Sequence, residues 1–451
     1  MFMTLLDVSV TNVALPSISD ATGAGPSQLQ WIVSAYTLSF GLVPVLAGKL
    51  GDERGRRVMF QVGVGGFVAA SLFSGLAPNP GFLIAARVVQ GLFGGLINPQ
   101  VSGLVQQMFS GAERGRAFGV LGTTVGLGTA IGPVVGGLLI ALGGPHFGWR
   151  LVFFINIPIG IIVIALARRL LPAPVLGVRH RLDIAGAALL GGSTFCVLFA
   201  CVEYDALRDA RLAWLAVPAL VLFTLFIRRE RALTQQQREP LVDFRLFRRP
   251  SYVAGITLAI TFFPAMAGLP LVLAIFYQQG LGYSALQSAL GITAFAVGSA
   301  VAATLSGRVV TRVGRPLVVG GAVTFGVGAL GLALIAPHVA PHQAALAMAA
   351  PLFLMGCGQG ALITPNQTLA LMDVDPVIGS TAGGVLQTGQ RIGLAIGQAV
   401  IGAVFFHAVT GTGPAVYATA LRHGVLAALC FVAVAVAFGV HDLVRHRRHT
   451  P

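Results

Sequence analysis

Long apolar runs, cut by short polar breaks, make up almost the whole of this 451-residue sequence. Read against glycine, proline and charged breakers, the runs predict fourteen helices. They lie near 1–19, 29–50, 57–77, 81–108, 115–142, 149–168, 183–203, 212–228, 251–278, 284–307, 316–336, 343–371, 378–408 and 417–440. A helix crosses a bilayer with about 20 apolar residues, a length most of these runs reach or exceed. The runs are continuous and lack the apolar–polar alternation of a membrane barrel, so helices are the spanning structure that remains. The first run is the weakest, because only six residues precede Asp7 and no basic residue flanks it.

Composition narrows the class. The chain is 55% hydrophobic and only 10% charged, against roughly 25% charged in soluble domains. Mean hydropathy is +0.84. A cytosolic enzyme, a disordered chain and a secreted disulfide scaffold are thereby excluded. Cys196, Cys201, Cys357 and Cys430 all sit inside apolar runs without metal-ligand spacing and read as packing residues. No cleavable signal peptide is visible at the N-terminus.

The net charge of +14 arises from 29 basic and 15 acidic residues. In a soluble domain that would suggest nucleic acid as a partner. Here the charge has a topological explanation. With the N-terminus inside, only Arg150, Arg208, Arg211 and Arg422 fall in outer connections, and Arg87 and Arg391 lie within runs. The other 23 of the 29 are in inner connections, Arg179 and Arg181 among them, which predicts an N-in, C-in chain.

The sequence also repeats itself. Gly94-Gly-Leu-Ile-Asn-Pro-Gln100 matches Gly360-Ala-Leu-Ile-Thr-Pro-Asn366, 266 positions on. Gly128-Thr-Ala-Ile-Gly132 matches Gly393-Leu-Ala-Ile-Gly397 at 265, and Gly55-Arg56 matches Gly314-Arg315 at 259. Segments 2–5 therefore have counterparts in segments 10–13, and by extension 1 pairs with 9 and 6 with 14. Segments 7 and 8 stand between the halves. The predicted units are 1–170, 171–250 with its two helices, 251–441, and a basic tail at 442–451. Parallel six-helix repeats are a common build for secondary transporters, with the substrate site between the halves.

Several motifs sharpen the reading. Gly48-Lys-Leu-Gly-Asp-Glu-Arg-Gly-Arg-Arg57 joins two spans by a very short inner loop. Its glycines permit a tight turn, and Asp52 can face a helix N-terminus and pair with Arg56 or Arg57. This segment resembles motif A of the major facilitator superfamily. Its second copy, Gly307 to Arg315, has Thr311 where the motif has an aspartate, so the resemblance implies a stronger cytoplasmic gate in the first half. Leu83-x3-Arg87-x2-Gln90-Gly91 resembles motif B, and Gly128, Gly132, Pro133, Gly136 and Gly137 resemble the antiporter motif C. Leu6-Asp7-x-Ser-Val-x-Asn12-Val-Ala-Leu-Pro16 resembles the helix 1 motif of the fourteen-helix drug/proton antiporters. Trp31, Tyr36 and the run from Trp149 to Pro158, with Asn156, fit the same subfamily. The resemblance covers nearly the whole chain. It implies an all-α polytopic major facilitator fold with fourteen transmembrane helices: two six-helix bundles in pseudo-twofold repeat plus two extra helices.

Asp7 is the one acidic residue placed within the first half's membrane region. A carboxylate in hydrocarbon is costly and marks a functional site, unless the late start of the first helix leaves it near the inner surface. The resemblance implies proton coupling or cation recognition there, with Arg87 assisting proton transfer. Arg391 is a second buried cation, open to three readings: binding an anionic group, repelling cations, or helix packing. Polar candidates for a substrate cavity are Asn12, Gln90, Asn98, Gln278, Asn366 and Gln390, with Trp31, Tyr36 and Arg391 beside them. The glycines at 128, 132 and 136, and at 389, 393 and 397, form small helix faces on which helices can approach and slide.

Other signals carry nothing. Gly326-x-Gly328-x2-Gly331 imitates a dinucleotide fingerprint but falls mid-helix with no preceding strand. No phosphate loop appears, so ATP-driven transport is unsupported. No nucleophile–base pair or metal set suggests an enzyme. The sequence is read as a proton-driven exporter of a lipophilic or drug-like molecule, without a cofactor, functional as a monomer in a bacterial inner membrane. Uptake by symport or uniport on the same fold is the alternative, and the substrate's identity is not encoded in any motif.

Overall fold

The computed structural model describes residues 1–173, 183–207, 210–236, 238, 240–411 and 413–449. Arg179, Arg181 and Arg208 of the charge argument lie outside the described residues. The chain is helical throughout its described length. The first part holds α1 (Phe2–Thr22), α2 (Pro26–Leu42), α3 (Pro44–Arg54), α4 (Arg56–Gly75), α5 (Pro80–Met108), α6 (Gly111–Phe154) and α7 (Asn156–Leu170). Between the halves lie α8 (Ile184–Leu207) and α9 (Ala216–Gln235). The last part holds α10 (Pro250–Ile275), α11 (Ala285–Val313), α12 (Arg315–Ile335), the single turn α13 (Ala344–Ala347), α14 (Ala349–Ala370), α15 (Gly379–Ala408) and α16 (Pro414–His449).

Among the described residues, 12 helices are long and apolar enough to cross a membrane, or up to 14 if each of two bent pairs is one span. One bent pair lies within the predicted segment 29–50, which breaks at Val43 into α2 and α3 with a 49° bend. The cause is local: Pro44 lacks the N–H that would continue the ladder. The other departure is opposite in kind. The fifth and sixth segments run together as α6, whose backbone swings at Gly144 to φ 72°. The last helix also runs past its expected end at 440, to His449.

Helix ends follow from residue type. Asn79 Oδ1 accepts the Phe82 amide at 2.9 Å with Pro80 in the first turn, and Ser284 and Gln287 form a capping box at α11. Gly55 and Gly314, the repeat-related pair, both take positive φ in the turns after α3 and α11. The sequence repeat has therefore placed a positive-φ glycine at both turns, though with different ψ, 120° at Gly55 and −138° at Gly314.

Helices α1–α7 pack on one another, as do α10–α16. α8 leans on α2 and α15, and α9 leans on α8. The second half has the larger continuous core, with Phe262 edge-on to Phe325 at 5.1 Å. Leu142, Ile161, Trp214 and Leu220 point outward, exposed. Apolar surface of that kind suits lipid rather than water.

The halves meet chiefly at the end that carries Asp52. There a Cβ on Gly48 would strike Ser380 O, and one on Gly307 would strike Gly115 O at 2.6 Å. Gly48 and Gly307 are 259 positions apart, and Gly115 and Ser380 are 265 apart. The two contacts are the same contact, related by the internal repeat.

Glycine spacing sets how closely α15 packs on α10. An added methyl at Gly397 would meet the Pro264 backbone, whereas Gly137 has open space around it. Gly397→Ala should therefore cost about 1–3 kcal/mol as an overpacked contact. It should lower the melting temperature in detergent, with Gly137→Ala unchanged in the same assay.

Candidate functional site

Asp7 lies in the first half's interior, not near its surface; only 1% of it is exposed. Its Oδ2 receives Arg87 Nη1 at 2.5 Å. Its Oδ1 receives Gln90 Nε2 at 2.8 Å and Asn156 Nδ2 at 2.9 Å. Gln90 Nε2 and Asn156 Nδ2 also reach Ser71 Oγ, at 2.6 and 3.2 Å. Arg87 completes its set by donating to Gln90 Oε1 and to Ile32 O, and its guanidinium lies 4.2 Å from the Tyr36 ring centroid. Helices α1, α2, α4, α5 and α7 thus converge on one carboxylate. The three-residue spacing of Arg87 and Gln90 puts both on one face of α5.

The helix that carries Asp7 rests on the antiporter-motif glycines. Gly128 faces Phe2 and Leu5, Gly132 faces Ser9, and Gly136 faces Val10 and Val13, all of α1. Gly137 is exposed and makes no such contact, and Pro133 is half-buried. The second half repeats the arrangement, with Gly389, Gly393 and Gly397 against Ile260 and Pro264 of α10.

At the Asp52 end, Asp52 reaches across to the N-terminus of α15. Its carboxylate accepts Ser380 N at 3.1 Å, Thr381 N at 2.8 Å and Thr381 Oγ1 at 2.8 Å. These amides are orphan donors of a helix start, so an anion there gains from both hydrogen bonding and the helix dipole. Arg56 pairs with Asp52 at 2.8 Å, donates to Gly103 O at 2.7 Å, and reaches the carbonyls of Pro376 and Val377. Arg57 turns away and caps the end of α7 through Arg168 O and Leu171 O. Of the two arginines offered as partners for Asp52, the structure assigns Arg56. A cavity of about 200 Å³ opens beside this cluster, lined by Asp52, Arg56, Arg57, Pro172 and Val377. The second copy of the motif bridges nothing comparable: Thr311 is exposed, and Arg315 pairs with Asp442 of its own half.

The residues expected in one substrate cavity are scattered. Tyr36 and Gln90 belong to the Asp7 network. Asn366 donates to Gly255 O at 3.0 Å and ties α14 to α10. Trp31 packs against Phe199 of α8 at 6.1 Å, and Asn12 and Gln278 are exposed. Helical spacing alone could not say which face of each helix looks inward. Three candidates remain on or beside the α5–α15 interface: Asn98, Gln390 and Arg391. The first two are buried with an unpartnered Oδ1 and Nε2 respectively. Arg391 lies over the Phe40 ring at 4.1 Å.

Sequence reasoning missed Ser71 as a partner of Asp7, and Ser380 and Thr381 as partners of Asp52. It noted Asn156 only within a resembling run. The available signal was a single amide inside the apolar run Phe153-Phe-Ile-Asn156-Ile. Nothing in one sequence marks Ser71, since a serine can satisfy itself on its own helix.

A family profile described as Major Facilitator Superfamily matches residues 1–398, with a second match over 256–449. A Streptomyces coelicolor protein named a probable actinorhodin transporter is 37% identical over 408 residues, covering 90% of this chain and 70% of its own. The puromycin resistance protein of Streptomyces alboniger is 31% identical, over 95% of this chain and 86% of its own. A riboflavin transporter of Clostridioides difficile is 29% identical, over 96% and 93%. Among solved structures, a proton:xylose symporter bound to 6-bromo-6-deoxy-D-glucose superposes with TM-score 0.67 at 14% identity, over 100% of this chain and 93% of that one.

Two outcomes follow from the geometry. Arg87→Gln strands the Asp7 charge and should cost about 3–5 kcal/mol; pairing it with Asp7→Asn should recover much of the lost melting temperature in detergent. Asp52→Ala removes the bridge to α15. In a background lacking the four native cysteines, a cysteine at position 380, fully buried in this structure, should then label at least several-fold faster with a polar maleimide.

Proposed function

The chain belongs to the Major Facilitator Superfamily and is a transporter, not an enzyme, and from that premise we propose that it exports a lipophilic or drug-like small molecule in exchange for protons. The observation that carries this reading is the buried Asp7, set among polar donors on a helix whose neighbour offers it a glycine face. As a carboxylate, Asp7 balances Arg87. Taking up a proton removes that balance and leaves Arg87 in excess within an apolar setting, a state that favours rearrangement. α1 can carry the change, because it meets α6 along small residues. The names of the relatives that handle actinorhodin or confer puromycin resistance support export of antibiotic-like compounds.

The loop charges support an N-in, C-in orientation with fourteen spans: the α2–α3 bend and a 42° bend between Gly128 and Ile131 of α6 each lie within one span, and the break at Gly144 divides two spans. The Asp52 end then faces the cytoplasm, and this conformer is closed there. Units 1–170 and 251–441 rock about the interface between them, with α8 and α9 as added helices and the tail from 442 at the inner lipid surface. Opening inward breaks the Asp52 bridge, whose charged hydrogen bonds are worth about 1.5–3 kcal/mol each. One inward proton supplies roughly 2.3 kcal/mol per 100 mV of membrane potential. The protein works as a monomer in a bacterial cytoplasmic membrane, with protons and substrate as its partners and no cofactor.

The riboflavin transporter among the relatives supports a second reading, uptake of a small metabolite by symport or uniport on the same fold. Direction of flux separates the two. Inverted vesicles containing this chain should accumulate an exported dye or antibiotic when a proton gradient is applied and lose it on adding an uncoupler. Asp7→Asn should abolish the gradient-driven component. Accumulation that survives collapse of the gradient would sink the coupling claim.

A further inference from the structure

Arg391 is an excess positive charge at the interface between the halves. Asp7 and Arg87 cancel one another. Among the described residues, Arg391 has no ion-pair partner, and its recorded contact is with the face of Phe40 at 4.1 Å. A ring face offsets only part of the cost of holding a guanidinium away from water.

The surroundings form a polar site with unfilled valences. On α15, Gly383, Gln387 and Arg391 follow at four-residue spacing and share one face. That face looks at the first half: Gly383 meets Ser102, and Gln387 Nε2 reaches Ser102 Oγ at 3.4 Å. On α5, Ser102, Asn98 and Gly94 follow at the same spacing, and Gly94 meets the Phe40 ring and the Tyr36 hydroxyl. Along α5, Asn98 therefore lies between the Gln387 contact at Ser102 and the Phe40 contact at Gly94, and Arg391 lies over that same Phe40 ring. Asn98 Oδ1, Gln387 Oε1 and Gln390 Nε2 are buried without partners, on residues 7%, 7% and 8% exposed. Buried amides left unpaired at an interface of this kind await a ligand or water.

We propose that Arg391 binds the acidic group of the substrate, and that the substrate class is an aromatic acid carried as its anion. A guanidinium offers two parallel N–H donors that fit a carboxylate, and Phe40 offers a flat apolar face beside it. Gln390 Nε2 is the free donor for that anion, while Asn98 Oδ1 and Gln387 Oε1 can accept only from N–H or O–H groups, which on such a substrate lie away from the carboxylate. This inference rests on the export reading and specifies its cargo. It also has an energetic consequence: an anion leaving while a proton enters moves two charges in the same electrical sense, so the membrane potential drives the exchange doubly.

The test uses the full chain in proteoliposomes and three probes: anthraquinone-2-carboxylate, its methyl ester, and the cation ethidium. The wild type should bind the carboxylate at least about tenfold more tightly than the ester, and ethidium least. Arg391→Gln should erase the preference for the carboxylate while retaining ester binding, which shows that the variant is folded. Arg391→Lys should retain part of the preference. Equal binding of acid and ester by the wild type, stronger binding of ethidium, or a preference that survives Arg391→Gln each overturns the proposal. If the preference holds but flux ignores the proton gradient, the coupling reading fails and the assignment of Arg391 stands.

Discussion

A charge inside an apolar helical bundle has no water to fall back on, and Asp7 meets that constraint with three donors from two helices. Much of the first half's interior is arranged around this requirement. α5 must present Arg87 and Gln90 on one face, α7 must begin with Asn156, and α4 must bring Ser71 beneath both amides. The hydrogen bonds are individually modest, but a buried charge left short of a partner is far more costly than the net worth of any one of them. On the proposed coupling, the same constraint is what would make a proton on the carboxylate felt by five helices at once.

The Asp52 cluster applies the same physics to a joint between halves. A carboxylate from one half completes the start of a helix in the other, and Arg56 binds both that carboxylate and the turn before the helix. The internal repeat reproduces the backbone contact at Gly307 and Gly115 but not its chemistry. Thr311 cannot supply the anion, and Arg315 finds Asp442 on its own side. A fold with twofold repeats has thus placed its polar bridge on one of two equivalent joints.

The two arginines within the bundle are linked by a pair of neighbouring rings, tilted 44° to one another. Arg87 lies over Tyr36, the Tyr36 and Phe40 rings are 5.8 Å apart, and Arg391 lies over Phe40. Both rings ride on α2, and Gly94 leaves room for them. A change at the Asp7 network therefore has a packed route to the interface between the halves.

The sequence by itself determined the class, the helices and the repeat, because each depends on periodicity and composition that survive without three-dimensional context. Apolar run length predicts a span, a proline or glycine predicts its break, and an isolated charge in a run predicts a site. Asp7 and Arg87 were legible for that reason, and Asp52 from the glycine-and-charge pattern of its short loop. What the sequence could not contain was which faces meet. Tyr36 and Gln90 look like cavity residues until α1 and α7 bring Asp7 and Asn156 to them, and Asn366 looks like a ligand group until Gly255 takes its amide. Arg391 was open to three readings along the chain. Only the packing of α15 against α2 and α5 decided that it faces the other half without a carboxylate partner among the described residues, because charge compensation is a matter of distances between helices and not of order along them.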